Sequence, residues 1–254
     1  MADWADLAAE LDRWGAAGRT ASFWWRDDDA GPDDDAIVGL LDQRRRLDVP
    51  LALAVVPAWL APPTVRRVLG DAGAAVLQHG WDHRNNAAEG VKRTELVDGL
   101  VSLGDDLVHG RAILENAFGG RFAAIVVPPW NRIGPGIRTR LAGLGFAGLS
   151  AHGPRSAARI DGLHVANVHV DIMDWRTRAF AGEATSLAQV VAHLAARREG
   201  RADGAEATGL MTHHRVRDTS AAAFVDRLVT TVRDHGAARW LAAGHLFGTG
   251  RAAA

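Results

Sequence analysis

Short apolar runs alternate with amphipathic stretches along most of the chain. Residues 51–56 form a near-continuous apolar run, which is typical of a parallel strand covered on both faces. Residues 36–47 carry apolar side chains three or four positions apart, which is typical of a helix packed on a sheet. These patterns predict strands at 21–25, 51–56, 74–77, 123–127, 146–149 and 165–170, and one that begins at 209. They predict helices at 2–17, 36–47, from 62, 94–118, 136–144, 187–198, 221–232 and 237–246.

The order of these elements predicts the fold class. About seven β-α units follow one another, and no linker marks a second domain. We therefore expect an α/β fold in which residues 1–254 form a single (β/α) barrel of about seven parallel strands. A doubly wound sheet fits the count less well.

The N-terminal segment, residues 1–18, is predicted to be an amphipathic helix. Apolar side chains recur in it at helical spacing, and acidic residues stand where a signal peptide needs basic ones. The longest apolar run, 51–61, is too short to cross a bilayer and contains Pro57. We expect a soluble, cytoplasmic protein that does not associate with a membrane.

Composition limits the partners and the chemistry. The chain has 254 residues, of which 48% are hydrophobic, and 29 basic and 30 acidic residues give a net charge of −1. No basic block favours nucleic acid, so the expected partner is a small-molecule or oligosaccharide substrate. The chain contains no cysteine. A bound metal ion would therefore have to be held by histidine and carboxylate side chains.

Polar side chains that could carry chemistry follow directly after the predicted strands. They are Asp27 to Asp29, the segment from His79 to His83, the segment from Pro128 to Asn131, the segment from Asp171 to Trp175, and His213 with His214. The carboxyl ends of the strands in a β/α barrel converge on one face, where active sites are assembled. The sequence therefore predicts one site at this face.

Each of these signals is weak when taken alone. Three adjacent acids cannot all be buried and ionised without a cation or donors, but they could also form a solvated loop. The H-x-x-x-H spacing of His79 and His83 can place two imidazoles on one metal, yet a chain with 11 histidines can contain such a pair by chance. Trp130 and Trp175 could be ordinary core aromatics, and Asp174 a helix cap. The conjunction of all of them favours a site.

Together these motifs resemble the NodB-like polysaccharide deacetylases of carbohydrate esterase family 4. Five family motifs have counterparts in the right order between about residues 22 and 214. The family's T-F-D-D-G corresponds to W-R-D-D-D at 25–29, and its H-[ST]-x-x-H to H-G-W-D-H at 79–83. Its R-P-P-[YW], D-W and L-x-H correspond to V-P-P-W at 127–130, D-W at 174–175 and M-T-H at 211–213. The resemblance implies a distorted barrel of the NodB type.

The resemblance also implies roles for individual residues. Asp28, His79 and His83 would hold one divalent metal ion, expected to be Zn²⁺, and Asp27 would be the general base. Because the register is uncertain by one, the alternative has Asp28 as base and Asp29 as ligand. His213 would protonate the leaving amine and be oriented by Asp174, and the Trp130 N–H would stabilise the oxyanion. The residues expected to contact substrate are Pro129, Trp130, Asn131, Trp175 and Trp81.

Three departures from the family pattern bear on these roles. Val127 stands where the family has the arginine that holds the catalytic aspartate, and either Arg26 or Arg132 could replace it. Gly80 replaces a serine or threonine, and Asp29 replaces a glycine.

The expected function is hydrolysis of a C–N amide bond by a metal-dependent hydrolase, with an acetamido sugar or glycoconjugate as the substrate to be N-deacetylated. The alternatives are hydrolysis of a non-sugar linear or cyclic amide and a catalytically inactive glycan-binding barrel. A glycosyltransferase would leave the histidine pair and His213 unexplained.

Overall fold

The computed structural model describes residues 2–249, which are built around one curled sheet of ten strands. The strands along the chain are β1 (Ala21–Ala30), β2 (Leu51–Val55), β3 (Ala74–His79), β4 (Phe122–Val127), β5 (Gly148–Leu149), β6 (Arg159–Ile160), β7 (Leu163–Val165), β8 (Val170–Asp171), β9 (Met173–Asp174), β10 (Ala179–Phe180), β11 (Thr208–Thr212) and β12 (Ala238–Trp240). Strands β9 and β10 form a separate antiparallel pair.

Within residues 2–249, eight α-helices connect or flank these strands. They are α1 (Trp4–Ala16), α2 (Ala36–Leu47), α3 (Pro62–Leu69), α4 (Leu103–Phe118), α5 (Pro135–Arg140), α6 (Glu183–Arg198), α7 (Thr219–Arg233) and α8 (Ala243–Phe247). Between residues 2 and 249, no helix is both long enough and apolar enough to cross a membrane.

The sheet is an open half-barrel whose strand order is β6-β7-β5-β4-β3-β2-β1-β11-β8, with β12 also paired to β1. All pairs in it are parallel except β6 with β7. The predicted α/β class and distorted barrel are thus confirmed. Because the strands are parallel, the carboxyl ends of β1, β3, β4 and β11 lie at one edge of the sheet.

Side-chain alternation along β1 divides the core into two parts. Phe23 and Trp25 pack under the helices in an outer cluster, whereas Trp24 points to the inner side of the curled sheet. Strand β11 shows the same division, with Leu210 in the outer cluster and Met211 in the inner one. Successive side chains on a strand point to opposite faces, so this division continues into the polar residues at both strand ends.

Three predicted elements differ most from the structure. The strand predicted at 165–170 is interrupted, because Leu163–Val165 form β7 and Val170–Asp171 form β8, with no strand between them. The helix predicted at 94–118 begins only at Leu103. The helix predicted at 237–246 is wrong in its first part, where 238–240 form β12 and pair with Ala21 to Phe23 of β1. The Trp240 ring packs on Phe23, with ring centroids 5.5 Å apart. This long-range pairing with the start of β1 overrides the local helical pattern.

Candidate metal centre

Three side chains from two strand ends meet at the carboxyl edge of the sheet. Asp29 Oδ1 lies 3.2 Å from His79 Nε2 and 3.3 Å from His83 Nε2. Two ligand atoms bound to one tetrahedral zinc ion at about 2.0–2.1 Å are about 3.3–3.4 Å apart. Asp29 Oδ1 is buried and has no hydrogen-bond partner within residues 2–249. The spacing and the unsatisfied oxygen both fit a divalent metal ion.

The backbone, rather than simple strand alternation, brings Asp29 to the two histidines. The register between β1 and β2 shifts between Asp27 and Ala30, and Asp29 has a positive φ of 68°. A bulge of this kind bends a strand end and redirects its side chain, and it is common next to active sites. His83 also has a positive φ, 58°.

The nitrogen atoms that the two histidines turn towards Asp29 are suited to metal binding. The His79 Nδ1 lies 2.9 Å from the Val127 carbonyl oxygen, so Nδ1 carries a proton and Nε2 is the nitrogen that faces Asp29. Burial lowers the pKa of His79, but the Asp29 and Asp28 carboxylates raise it above its ordinary value, so a metal ion would displace a proton from Nε2. Burial and the neighbouring His79 lower the pKa of His83 to about 4, which keeps this imidazole neutral. Burial raises the pKa of Asp29, but the adjacent His79, together with His213 and His83, outweighs burial and holds that pKa well below the ordinary value. One carboxylate and two neutral imidazoles form a donor set that zinc accepts.

Asp28 does not join this group but pairs with Arg26. The guanidinium donates from Nε to Asp28 Oδ1 (2.8 Å) and from one terminal nitrogen to Oδ2 (2.9 Å). Both side chains point to the inner side of the sheet, in line with Trp24, because they alternate with Trp25. The structure therefore corresponds to the alternative register, in which Asp29 takes the place first given to Asp28.

Arg26 also resolves the departure at Val127. Its guanidinium is fully buried and donates to the Ser150 carbonyl and hydroxyl and to Asn131 Oδ1. Arg132, the other candidate, instead donates to the Arg93 carbonyl oxygen (3.0 Å). Arg26 is therefore the arginine that orients Asp28 in this chain.

Asp27, first predicted as the general base, lies on the opposite side of β1. It accepts hydrogen bonds from the Thr212 hydroxyl and His214 Nδ1, both at 2.5 Å. Burial raises its pKa, but the ion pair and hydrogen bond with His214 lower it further than burial raises it. The prediction differs from the structure because alternation sends Asp27 outward with Trp25, away from the histidines at the inner side.

His213 lies on the inner side of β11, in alternation with Met211. Its ring meets the edge of Trp175, with centroids 4.5 Å apart, and the Trp175 Nε1 donates to Asp171 Oδ2 (2.7 Å). Asp174 was expected to orient His213, but its carboxylate accepts from the Arg176 N–H at a turn. Within residues 2–249, no hydrogen bond or ion pair joins Asp174 to His213. Trp175, anchored by Asp171, is the neighbour that limits the orientation of His213.

The other residues expected to contact substrate are divided between the cleft and the scaffold. Trp130 has a positive φ of 54°, and the centroid of its ring lies 4.3 Å from that of the His83 ring. Pro129 is buried next to Gly80, and Asn131 is engaged by Arg26. Trp81 packs against His109, with centroids 5.2 Å apart. Trp130 and the half-exposed Trp175 are therefore the two that border the histidines.

Two residues at the centre were not predicted from the sequence. The ring centroids of Trp59 and His83 lie 5.3 Å apart. The Glu95 carboxylate accepts hydrogen bonds from the backbone N–H groups of Trp81 and His83. Burial raises the pKa of Glu95 to about 7. Neither residue belongs to a motif or follows directly after a predicted strand, so no sequence signal identified them.

A second group of metal-ligating residue types, His169, His193 and Glu206, is buried under α6. The Gly209 N–H donates to His169 Nδ1 (3.0 Å), which leaves the proton of the neutral ring on Nε2, where a ligand needs a lone pair. The two imidazoles are stacked with centroids 3.5 Å apart and planes 13° apart, so a single ion cannot lie in both ring planes. This group fits buried neutral histidines rather than a metal site.

These buried histidines are expected to make the fold sensitive to acid. Burial lowers the pKa of His193 to about 2, and nearby His169 and Arg197 add to the shift. The unfolded chain takes up a proton near pH 6.5 that the folded chain does not, so stability falls as the pH drops below 6.5. From pH 7 to pH 5, His193 should account for a loss of about 2 kcal/mol in the free energy of unfolding.

Urea unfolding at the two pH values checks this expectation. His193→Gln should remove most of that part of the pH dependence, whereas His245→Gln, at an exposed position of α8, should not change it. An identical pH dependence in His193→Gln and the unaltered protein would contradict the assignment.

Comparison with known proteins identifies the fold. The sequence matches no family model and no curated protein. Among solved structures, the Bc1960 peptidoglycan N-acetylglucosamine deacetylase superposes with a TM-score of 0.58 at 15% identity, covering 91% of this chain and 90% of that chain.

Two further structures have the same fold. A family 4 acetyl xylan esterase from Clostridium thermocellum, solved with a cobalt ion, has a TM-score of 0.55 at 15% identity, covering 89% of this chain and 90% of its own. A mutant of BA3943, described as a CE4 family pseudoenzyme with restored enzymatic activity, has a TM-score of 0.54 at 14% identity, covering 92% of this chain and 70% of its own. The chain therefore has the fold of the NodB-type polysaccharide deacetylases of carbohydrate esterase family 4.

Proposed function

We propose that this protein is a metal-dependent hydrolase of an amide bond and that it removes the N-acetyl group of an acetamido sugar or glycoconjugate. The observation that carries the proposal is the arrangement of Asp29, His79 and His83 next to the Arg26–Asp28 pair. It occupies the carboxyl edge of a sheet whose fold is shared with deacetylases.

In this proposal Asp29, His79 and His83 hold one divalent ion, with zinc as the expected metal. When bound there, such an ion would supply Lewis acidity, which would polarise the substrate carbonyl and lower the pKa of water. The three side chains provide one oxygen and two nitrogen ligands and leave coordination positions open, as catalytic zinc sites do.

Asp28 is the proposed general base. Arg26 holds both of its carboxylate oxygens at 2.8 and 2.9 Å, and each oxygen keeps a second lone pair that can accept a proton. Arg26 is itself held by Ser150 and Asn131, so the orientation of the carboxylate is set before substrate binds. A base with a fixed orientation lowers the barrier of proton transfer.

His213 is the proposed general acid that gives a proton to the leaving amine. It lies on the inner side of the sheet, and Trp175 limits its rotation. The Trp130 N–H is the proposed donor to the oxyanion, since the positive φ of Trp130 sets the direction of this peptide group next to His83.

The aromatic rings around the histidines support a sugar substrate. Trp59 and Trp130 border His83, and Trp175 borders His213, which gives flat apolar surfaces next to a few polar groups. A non-sugar amide is the alternative substrate. An inactive glycan-binding barrel is the alternative from another class, and the pseudoenzyme among the structural matches gives it weight. The joint presence of the base, the three ligands and His213 favours the enzyme.

Metal removal tests the proposal. We expect about one equivalent of zinc or cobalt per chain, no hydrolysis of acetamido sugars after chelation, and recovery on adding the ion back. His79→Ala and His83→Ala should lose both metal and hydrolysis with the fold retained, because these ligands lie at the mouth of the half-barrel rather than in the core. Full metal occupancy in both variants would refute the site. If the protein hydrolyses non-sugar amides and no acetamido sugar, the proposed substrate is wrong and the alternative substrate takes its place.

A further inference from the structure

His79 is the last residue of β3, and the loop that follows this strand carries His83 and leads to a buried carboxylate, Glu95. The Glu95 side chain is fully buried. Its Oε1 accepts the N–H of Trp81 (2.5 Å), and its Oε2 accepts the N–H of His83 (2.8 Å). Glu95 therefore binds the backbone of the histidine loop at two points, one of them at a proposed metal ligand.

The loop needs such a partner because its backbone is irregular. Gly80 and His83 both have φ near 58°. A positive φ is uncommon for a residue other than glycine, and it breaks the regular pattern in which backbone N–H groups find carbonyl partners. The carboxylate of Glu95 satisfies two N–H groups at this turn and thereby fixes the backbone from which the His83 ring projects.

Glu95 is in turn anchored to the rest of the site. Its carbonyl oxygen accepts from Asn86 Nδ2 (2.9 Å), which closes the base of the intervening loop. The next residue, Leu96, accepts from the Gly134 N–H (2.7 Å) and bridges Ile133, just beyond the turn that carries Trp130. The support of His83 is therefore tied to the segment that borders the other side of the cleft.

The same carboxylate explains why residue 80 is glycine in this chain. A Cβ atom at Gly80 would lie 2.5 Å from Glu95 Oε2 and 2.7 Å from Pro129 Cγ. The space that the Ser or Thr of the family motif would use is occupied by Glu95 and Pro129. Glu95 and Gly80 thus form one structural unit beneath the two histidines.

We propose that Glu95 is a positioning residue that sets the placement of His83 and thereby the metal affinity of the centre. The inference rests on the proposed metal site. Removing a group that does not contact the metal but orients one of its ligands lowers metal affinity by about 10- to 100-fold. Support that merely stabilises the loop would change the melting temperature and leave the affinity for the ion unchanged.

Zinc titration of the Glu95→Gln variant tests the proposal. The glutamine has nearly the same shape, but its NH₂ group cannot accept, so one backbone N–H of the clamp faces a donor. We expect the Kd for Zn²⁺ to rise about 10- to 100-fold. Glu89→Gln is the matched control, since it makes the same change at an exposed position of the same loop and should bind Zn²⁺ like the unaltered protein. An unchanged Kd in Glu95→Gln would overturn the inference.

Two further measurements keep the test decisive. If Glu95→Gln does not fold, Glu95→Asp replaces it, because the shorter carboxylate keeps its charge but cannot reach both N–H groups; the same rise in Kd is expected. Amide hydrogen exchange of the metal-free protein should be faster at Trp81 and His83 in Glu95→Gln than in Glu89→Gln, and equal rates would overturn the clamp. If the unaltered protein binds no zinc, the proposed function fails, whereas zinc binding that is insensitive to Glu95 refutes this inference alone.

Discussion

Replacing Asp28 with asparagine is expected to lower kcat on an amide substrate by about 10²- to 10⁴-fold, the usual range for loss of a general base, while metal stays bound. The asparagine keeps one acceptor for Arg26, so the buried guanidinium retains one of its two contacts at this position as well as those to Ser150 and Asn131. The asparagine lacks the negative charge of the carboxylate, so it cannot accept the proton that the proposed mechanism gives to Asp28. Steady-state kinetics together with metal analysis of the purified variant measure both parts.

Asparagine at the two neighbouring positions separates the possible registers. Asp29→Asn should lose the metal, because it removes the charge of the only carboxylate within reach of both histidine Nε2 atoms in the described part of the chain. Asp27→Asn should keep both metal and kcat but lower the free energy of unfolding, since Asp27 pairs with His214 away from the centre. Loss of kcat with metal retained in Asp27→Asn, but not in Asp28→Asn, would restore the register first predicted from the sequence.

His213→Asn is expected to lower kcat on an amide about a hundredfold or more, with metal binding unchanged. An amine leaves readily only when it is protonated, and asparagine cannot supply that proton. The loss should be much smaller on an activated ester, whose leaving group departs without a proton. A loss of kcat that is much larger on the amide than on the ester indicates a general acid, whereas general damage to the site would lower kcat equally on both substrates.

His214→Asn is the matched control. Asn Nδ2 occupies about the place of His Nδ1 and can still donate to the buried Asp27, whereas His214→Ala would leave that carboxylate unpaired at a cost of about 3–5 kcal/mol. His214→Asn should therefore retain kcat on both substrates. A leaving-group dependence in His214→Asn, and none in His213→Asn, would assign the acid to the other histidine.

The sequence by itself determined the class of fold and the edge of the sheet at which chemistry is possible. Alternation of apolar runs with amphipathic stretches is a local property, and it predicts parallel strands with helices outside. Because parallel strands end on one edge, polar residues after several strands predict a shared site without any knowledge of contacts. Alternation of side chains along a strand likewise places His213, two residues after Met211, on the inner side and His214 on the outer side, as the structure has them.

Only the tertiary structure decided which aspartate joins the histidines. Strict alternation would send Asp29 outward with Asp27, but the bulge at the end of β1 and the positive φ of Asp29 turn it to His79 and His83. Such a bulge depends on how the strand pairs with its neighbours, so three adjacent aspartates are equivalent in sequence and distinct in space. The tertiary structure also decided that Arg26, and not Arg132, holds Asp28, because only Arg26 lies next to that carboxylate.

Contacts between distant segments explain the other features that the sequence did not predict, namely the role of Glu95 and the strand β12. Glu95 lies 12 residues from His83, in a segment that the sequence pattern assigned to a helix, and its role depends on two N–H groups that become available only when the loop folds back. Strand β12 forms because its residues pair with the first residues of β1, which lie more than 200 positions away in the chain. Local patterns determine which elements form, whereas long-range pairing and backbone hydrogen bonding decide which side chains meet, because those interactions depend on residues far apart in the chain.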